Sequence, residues 1–333
     1  MLLETAAPKT VEPPEARKDT DPQSRHSRHE PAHGRRLNRP ATAGPRIAWR
    51  YAMPIMVIHA LSLLVFFPWF FSWTGVVLLV VGTYFFGSVG INMCYHRLLT
   101  HRSFRVPSWL ERCFLLVAVC CMEDAPATWV ATHRLHHIDA DGEPDPHSPL
   151  VSFFWSHIGW LLVENRNVRS ASAYDRYARD VLKDPFCMLL QRSLLLVWIY
   201  VAHGLLYFLF GLAAGYWMTG NMMSSVQFGS SVLVWGVLAR TVVVWHISWS
   251  VNSLSHLFGY RNYETNENSR NNWVVALVSS GEGWHNNHHI DPASASNWHR
   301  WWEFDPIWIV IRSLEAVGLA TEVIRPRHER RSA

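Results

Sequence analysis

The chain has 333 residues, of which 49% are hydrophobic and only 17% charged, and it carries 18 tryptophans. That balance excludes an ordinary soluble domain and fits a membrane protein. A net charge of +4, scattered along the chain, makes no electrostatic case for nucleic acid, so the lipid bilayer is the expected surroundings and no nucleic-acid partner is expected.

Residues 1 to about 45 are rich in Pro, Arg, Glu and Ser and show no apolar period; they read as a disordered tail, as do residues 326–333. Residues 46–325 then form one membrane domain. His26, His29 and His33 fall in the first tail, where a solvated segment accounts for them. The opening residues lack the apolar core of a secretory signal. The five cysteines (Cys94, Cys113, Cys120, Cys121 and Cys187) show no CxxC spacing and read as buried thiols in a reducing compartment.

Apolar stretches run over Tyr51–Phe71, from Trp73 to about Met93, over Leu189–Leu212 and over Phe228–Ser250. About 20 apolar residues cross a bilayer as a helix, so four transmembrane helices are predicted. The links after Phe71 and between Tyr216 and Gln227 carry no Lys or Arg, whereas the tail, the central segment Arg97–Arg192 and the C-terminal third are basic. By the positive-inside rule the latter three, with both termini, face the cytoplasm. The predicted fold is an all-α integral membrane protein: two helical hairpins beneath a cytoplasmic helical cap. The run Phe114–Met122 is too short to span and is expected at the interface or against the bundle.

Nineteen histidines are present, and the informative ones are grouped. HRLLTH holds His96 and His101, a few residues past the second span. HRLHH holds His133, His136 and His137, and HNNHH holds His285, His288 and His289; both have the i, i+3, i+4 spacing of one helix face. NSLSH, just past the fourth span, sets Asn252 and His256 at i, i+4. Singly these are weak signals. Together they place nine imidazoles on one side of the membrane, close to helix ends, where crowding would be repulsive on protonation. Two metal ions resolve this, because neutral imidazole is a good ligand for iron and nine ligands exceed one coordination sphere.

The other histidines have plainer readings. His59 and His203 lie inside spans and are assigned to helix–helix hydrogen bonds. Arg240 and His246, in the fourth span, are candidates for lining the substrate site, with structural pairing as the alternative. In EPDPHSP, Asp145 and His147 are candidates for orienting the ligating rings, with an Asp turn equally open.

The set HRLLTHRSF, HRLHH with DPHSP, NSLSHLFGYR, and GEGWHNNHH with RWWEFDP resembles the membrane delta-9 acyl desaturases, the family of stearoyl-CoA desaturase and its bacterial relatives. The resemblance covers roughly residues 50–320. It implies a di-iron centre held by His96, His101, His133, His136, His137, His256, His285, His288 and His289, with Asn252 engaging one iron through water. It also implies O2 as co-substrate, a fatty acyl substrate (acyl-lipid or acyl-CoA) and insertion of a cis double bond. Electrons are expected from a separate donor such as ferredoxin or cytochrome b5, since the HPGG haem signature is missing. His285 stands where front-end desaturases usually carry Gln. Two departures stand out. Glu164 and Asn165 follow Val163 where members acting on acyl-CoA tend to be basic, and Ser296 replaces an Arg after the third box. A lipid or alkane hydroxylase shares such boxes and is the alternative within the same chemistry. A divalent-metal transporter is the remote one, since it would hold ligands at mid-membrane. In the family the second span lines the buried end of the acyl tunnel. Tyr84 and Ser88, one α-helical turn apart, are the candidate chain-length stop, with Tyr84 packed towards lipid or a neighbouring helix as the alternative.

Overall fold

Four apolar helices are long enough to cross a bilayer: Trp49–Phe66, Trp73–Thr100, Leu195–Thr219 and Met222–His256. They come from a computed structural model that describes residues 36–330. The remainder of both expected tails, with His26, His29 and His33, lies outside the described residues.

A short strand, β1 (Ala43–Ile47), precedes the first helix and pairs antiparallel with β2 (Val163–Asn165), Ala43 opposite Asn165 and Ile47 opposite Val163. This ribbon is the one sheet among the described residues, in a fold that is otherwise helical apart from isolated bridges. It ties residues expected in the tail to the cap, as does the hydrogen bond from Leu37 N to Leu150 O. Helix α1 (Trp49–Ser62) tightens into a 3₁₀ turn at Leu63–Phe66. It stops short of the expected Phe71 because Pro68 starts a separate turn. Ser72 then caps α2 (Trp73–Phe85), its Oγ accepting from Gly75 N at 2.9 Å. The helix does not end near Met93 as expected. It widens into a π-helical stretch, Phe86–Thr100, so the first histidine box rides on the membrane helix itself.

The cap between spans two and three contains α3 (Ser108–Val119), α4 (Pro126–Ile138), α5 (Phe153–His157), α6 (Ala171–Tyr177), α7 (Arg179–Leu182) and α8 (Pro185–Arg192). Helix α3 takes in the short apolar run as far as Val119 and packs against the π-helical stretch: a Cβ on Gly90 would lie 2.7 Å from the Ala118 Cα. Asp184 caps α8, and the helix ends at Ser193, whose extended backbone separates it from the third span. That span, α9 (Leu195–Thr219), therefore starts six residues later than the hydropathy predicts.

Gly220, at φ 63°, closes α9, and Asn221 caps α10 (Met222–Leu233). The two pack at backbone distance, with a Cβ on Gly211 falling 2.8 Å from the Gly229 Cα. Small residues allow such an approach between membrane helices. A second π-helical stretch, Val234–Ala239, leads into α11 (Arg240–Ser253), and a 3₁₀ turn at Leu254–His256 ends the span. The rest of the cap holds α12 (Trp273–Val278), α13 (His285–Ile290), α14 (Pro306–Ala316) and α15 (Arg327–Arg330). Buried Arg97 fastens it to the second span: its guanidinium donates to Glu282 Oε1, Asp305 Oδ2 and Ala295 O, each at 2.8 Å.

Candidate metal centre

Each histidine reaches the centre from the end of an element. His96 lies in the last turn of the π-helical stretch and His101 follows it. His133, His136 and His137 close α4, His256 closes the fourth span, and His285, His288 and His289 form α13. All nine converge into two groups. One holds His96, His101, His133, His137 and His288; the other holds His136, His256, His285 and His289; ligand atoms within each lie within 4.8 Å of one another.

Each HxxHH helix is shared between the groups. Residues i and i+4 lie about 40° apart around a helix, and i+3 lies about 100° from i+4. His133 and His137 therefore stay together while His136 turns to the other group. On α13 the pattern is reversed, with His285 and His289 together and His288 crossing over. Two helices facing each other with this spacing build two adjacent sites.

Three carboxylates fix the rings from behind. His96 Nδ1 lies 2.9 Å from Glu282, His136 Nδ1 3.0 Å from Asp145, and His256 Nδ1 3.1 Å from Asp141. Glu267 stands 3.7 Å from His289 Nδ1. A carboxylate on Nδ1 holds the proton there and leaves Nε2 as a bare lone pair. Yet Nε2 of His256 lies 3.0 Å from Nε2 of His285, and Nε2 of His136 lies 3.4 Å from Nε2 of His289. His101 Nε2 is buried without a hydrogen-bond partner. Converging lone pairs in a buried site fit a cation between them, so the donor set suits two metal ions.

Burial, then repulsion from neighbouring rings, holds His101, His133, His137, His285, His288 and His289 well below the ordinary imidazole range. They are neutral at pH 7, the form that ligates. Burial alone would raise the Asp145 and Glu282 carboxyls. His136 and His147 outweigh it at Asp145, and Arg97 and His96 bring Glu282 down to about 2. Asp145 and His147 thus stand behind His136, Asp145 accepting from the backbone of Asp141 and His147 as well. Sequence reasoning missed Asp141, Glu267 and Glu282; the position of Glu282 three residues before His285 was the available signal.

The sequence profile described as fatty acid desaturase matches residues 71–321. The chain belongs to the fatty acid desaturase family. It is 39% identical over 279 residues to the sn-1 stearoyl-lipid 9-desaturase of Anabaena variabilis, covering 84% of this chain and 94% of the relative. It is 40% identical over 281 residues to the sn-2 palmitoyl-lipid 9-desaturase of Nostoc sp. (strain 36), covering 84% and 91%. An acyl-CoA 5-desaturase of Anemone leveillei is 39% identical over 259 residues, covering 78% and 74%. The chain is therefore an oxidoreductase, a fatty acyl desaturase.

A cavity of about 270 Å³ joins the metal-ligand groups to the helices. His96, His133, His285 and Asn252 line one end. The other reaches Arg50, Pro54, Ser193, Leu194 and Val197, where Leu194 is 70% exposed. Ser88 lines a branch beside Ser279 and Ser280 and donates to Ser280 Oγ at 2.7 Å. Tyr84 is not among the lining residues and is 43% exposed on the outer surface. The widening of the helix at Phe86 falls between the two and breaks the α-helical face they were expected to share. Arg240 and His246 are also absent from the lining. Arg240 is buried, donates to Cys120 O at 2.9 Å, and meets His203 Nε2 at 2.9 Å. His246 stands between His59 and His157, at 3.2 and 2.9 Å. Both have structural partners, contributed by residues far away in sequence.

Proposed function

We propose that this desaturase inserts a cis double bond at the ninth carbon of a saturated acyl chain esterified to a membrane lipid. In this reading two irons are held by the nine histidines, with Asn252 beside the four-histidine group, and the cap faces the cytoplasm. The observation that carries the reading is the continuous cavity from His96, His133 and His285 to a mouth among exposed apolar side chains at the head of α9. A lipid in the bilayer meets that mouth from the side. The names of the Anabaena and Nostoc relatives, both acting on lipid-linked chains, support the same carrier.

In sum, two methylene hydrogens, O2, two electrons and two protons give a double bond and two waters. Bound irons would supply the oxidising power, reduced by an external donor such as ferredoxin or cytochrome b5. The chain's own residues do the rest. Asp141, Asp145 and Glu282 hold the ligand tautomers, and neutral rings keep Nε2 available. Trp129, Trp245, Trp249, Ile91 and Val244 wall the cavity. Binding then rests on methylene burial, about 0.8 kcal/mol each.

The test is expression in a host lacking its own desaturase, followed by lipid mass spectrometry with double-bond mapping. New monounsaturated chains at the ninth carbon of intact glycerolipids are expected. Hydroxylated chains, or products confined to acyl-CoA, would overturn the reading.

A further inference from the structure

Glu123 is a carboxyl set into the wall of this cavity without a cation to neutralise it. It follows α3 in a tight turn flanked by the positive φ angles of Met122 and Asp124, 54° and 78°. Its Oε2 accepts from Ser248 Oγ at 2.8 Å, while its Oε1 is buried with no hydrogen-bond partner. Trp129, which lines the same cavity, also favours its charged form. Trp129 lies one turn before His133 on α4, and Ser248 one turn before Asn252 on α11. Glu123 therefore lies in the cavity wall between α4 and α11, beside the turns that precede the histidine layer. A chain filling the cavity packs against this carboxyl.

The charged and titratable groups around it are committed elsewhere. Asp124 takes the Tyr51 hydroxyl at 3.2 Å. Arg169 donates to Leu161 O and Val163 O and covers the Tyr51 ring. Arg240 is spent on Cys120 O and His203. Cys120 and Cys121 are neutral thiols pushed up by burial. His133 stacks on the Trp129 ring.

We propose that Glu123 is a proton-dependent gate for the acyl chain: the cavity accepts the chain when Glu123 is a neutral acid and rejects it when Glu123 is a carboxylate. The proposal rests on the cavity being the acyl site. Methylenes packed against a carboxylate would strip its water with nothing to replace it. Burial already pushes the Glu123 carboxyl up to about 8, against the pull of Ser248 and Trp129. Below that value the acid is neutral and binding is unhindered; above it, binding must take up a proton. Apparent affinity then falls about tenfold between pH 7 and pH 9.

The experiment measures equilibrium binding of tritiated distearoyl-phosphatidylcholine to the full-length, iron-loaded protein in detergent, from pH 6.5 to 9.5, so electron supply plays no part. Wild type should weaken about tenfold between pH 7 and pH 9, and Glu123→Gln, which cannot ionise, should give a flat profile. Ser248→Ala removes a donor that favours the carboxylate, so its midpoint should move to higher pH. A flat wild-type profile, or the wild-type decline persisting in Glu123→Gln, overturns the gate and leaves the acyl-site reading standing. A Ser248→Ala midpoint that stays put or falls also overturns the gate. No binding by wild type at any pH overturns the acyl-site reading and the gate with it.

Discussion

Asp145 holds His136 by a 3.0 Å hydrogen bond from ring Nδ1 to Oδ2, with both side chains wholly buried. The same carboxylate accepts from the backbone N–H of Asp141 and of His147, so it cannot turn away from the ring. The geometry commits the His136 Nε2 lone pair to the four-histidine group.

Asp145→Asn should therefore weaken metal binding without removing a ligand. Either way round, an amide sets its nitrogen against an N–H donor and brings no charge to hold the Nδ1 proton, and loss of such a partner typically costs ten- to a hundredfold in metal affinity. Iron retained after graded chelator challenge measures this. Retention equal to wild type would show that Asp145 serves only the turn.

Two groups of ligands predict two irons, with separable losses. Purified protein should hold about two irons per chain. His137→Ala, from the five-histidine group, and His285→Ala, from the four-histidine group, should each lower iron content and abolish turnover while membrane insertion stays intact. Iron analysis on detergent-purified protein decides it. One iron per fully active chain would remove the second site.

Arg97 is a structural residue in the middle of the first box. Its charge is balanced by Glu282 and Asp305, both buried, and it also holds the carbonyl of Ala295. Arg97→Ala would leave two buried carboxylates without their cation, a loss of roughly 3–5 kcal/mol. Arg97→Lys keeps the charge but cannot serve three acceptors in a fork and should fall between. Thermal inactivation in detergent should rank wild type above Lys and Lys above Ala. Equal midpoints would show that the cap is anchored elsewhere.

The convergence of the histidines was legible because their spacing repeats on two helices, and a period is a local property of sequence. Their partition was not, since His136 and His288 cross between groups only once α4 and α13 face each other. The limits of the second span were missed for a related reason: hydropathy fades after Met93, but the helix runs on through His96, held by packing on α3 and by the buried bonds of Arg97. Arg240 and His246 looked like substrate residues because an ionisable side chain in a span demands a partner. Their partners, His203 and the pair His59 and His157, come from other helices that spacing along one segment cannot reveal. Hydropathy also placed residues 43–45 in a tail, whereas they form a strand because β2 supplies the other half of the ladder.

The same change in helical winding decides which residue sets chain length. Ser88 lines the inner branch of the cavity about two turns from His96, and its hydroxyl is held by Ser280. Tyr84, four residues earlier, faces outward beyond the point where the α-helix widens. Ser88→Phe should fill the branch and move product toward shorter chains. Tyr84→Ala should leave the chain-length profile unchanged, because it removes a side chain the substrate does not touch. Each methylene excluded changes binding by about 0.8 kcal/mol, or roughly fourfold, so the Ser88→Phe shift should be a graded preference rather than a switch. Chain-length analysis of monounsaturated lipids from a desaturase-deficient host reads both variants together. A shift in Tyr84→Ala with none in Ser88→Phe, at normal expression and iron content, would move the floor of the acyl site to the outer face of the second span.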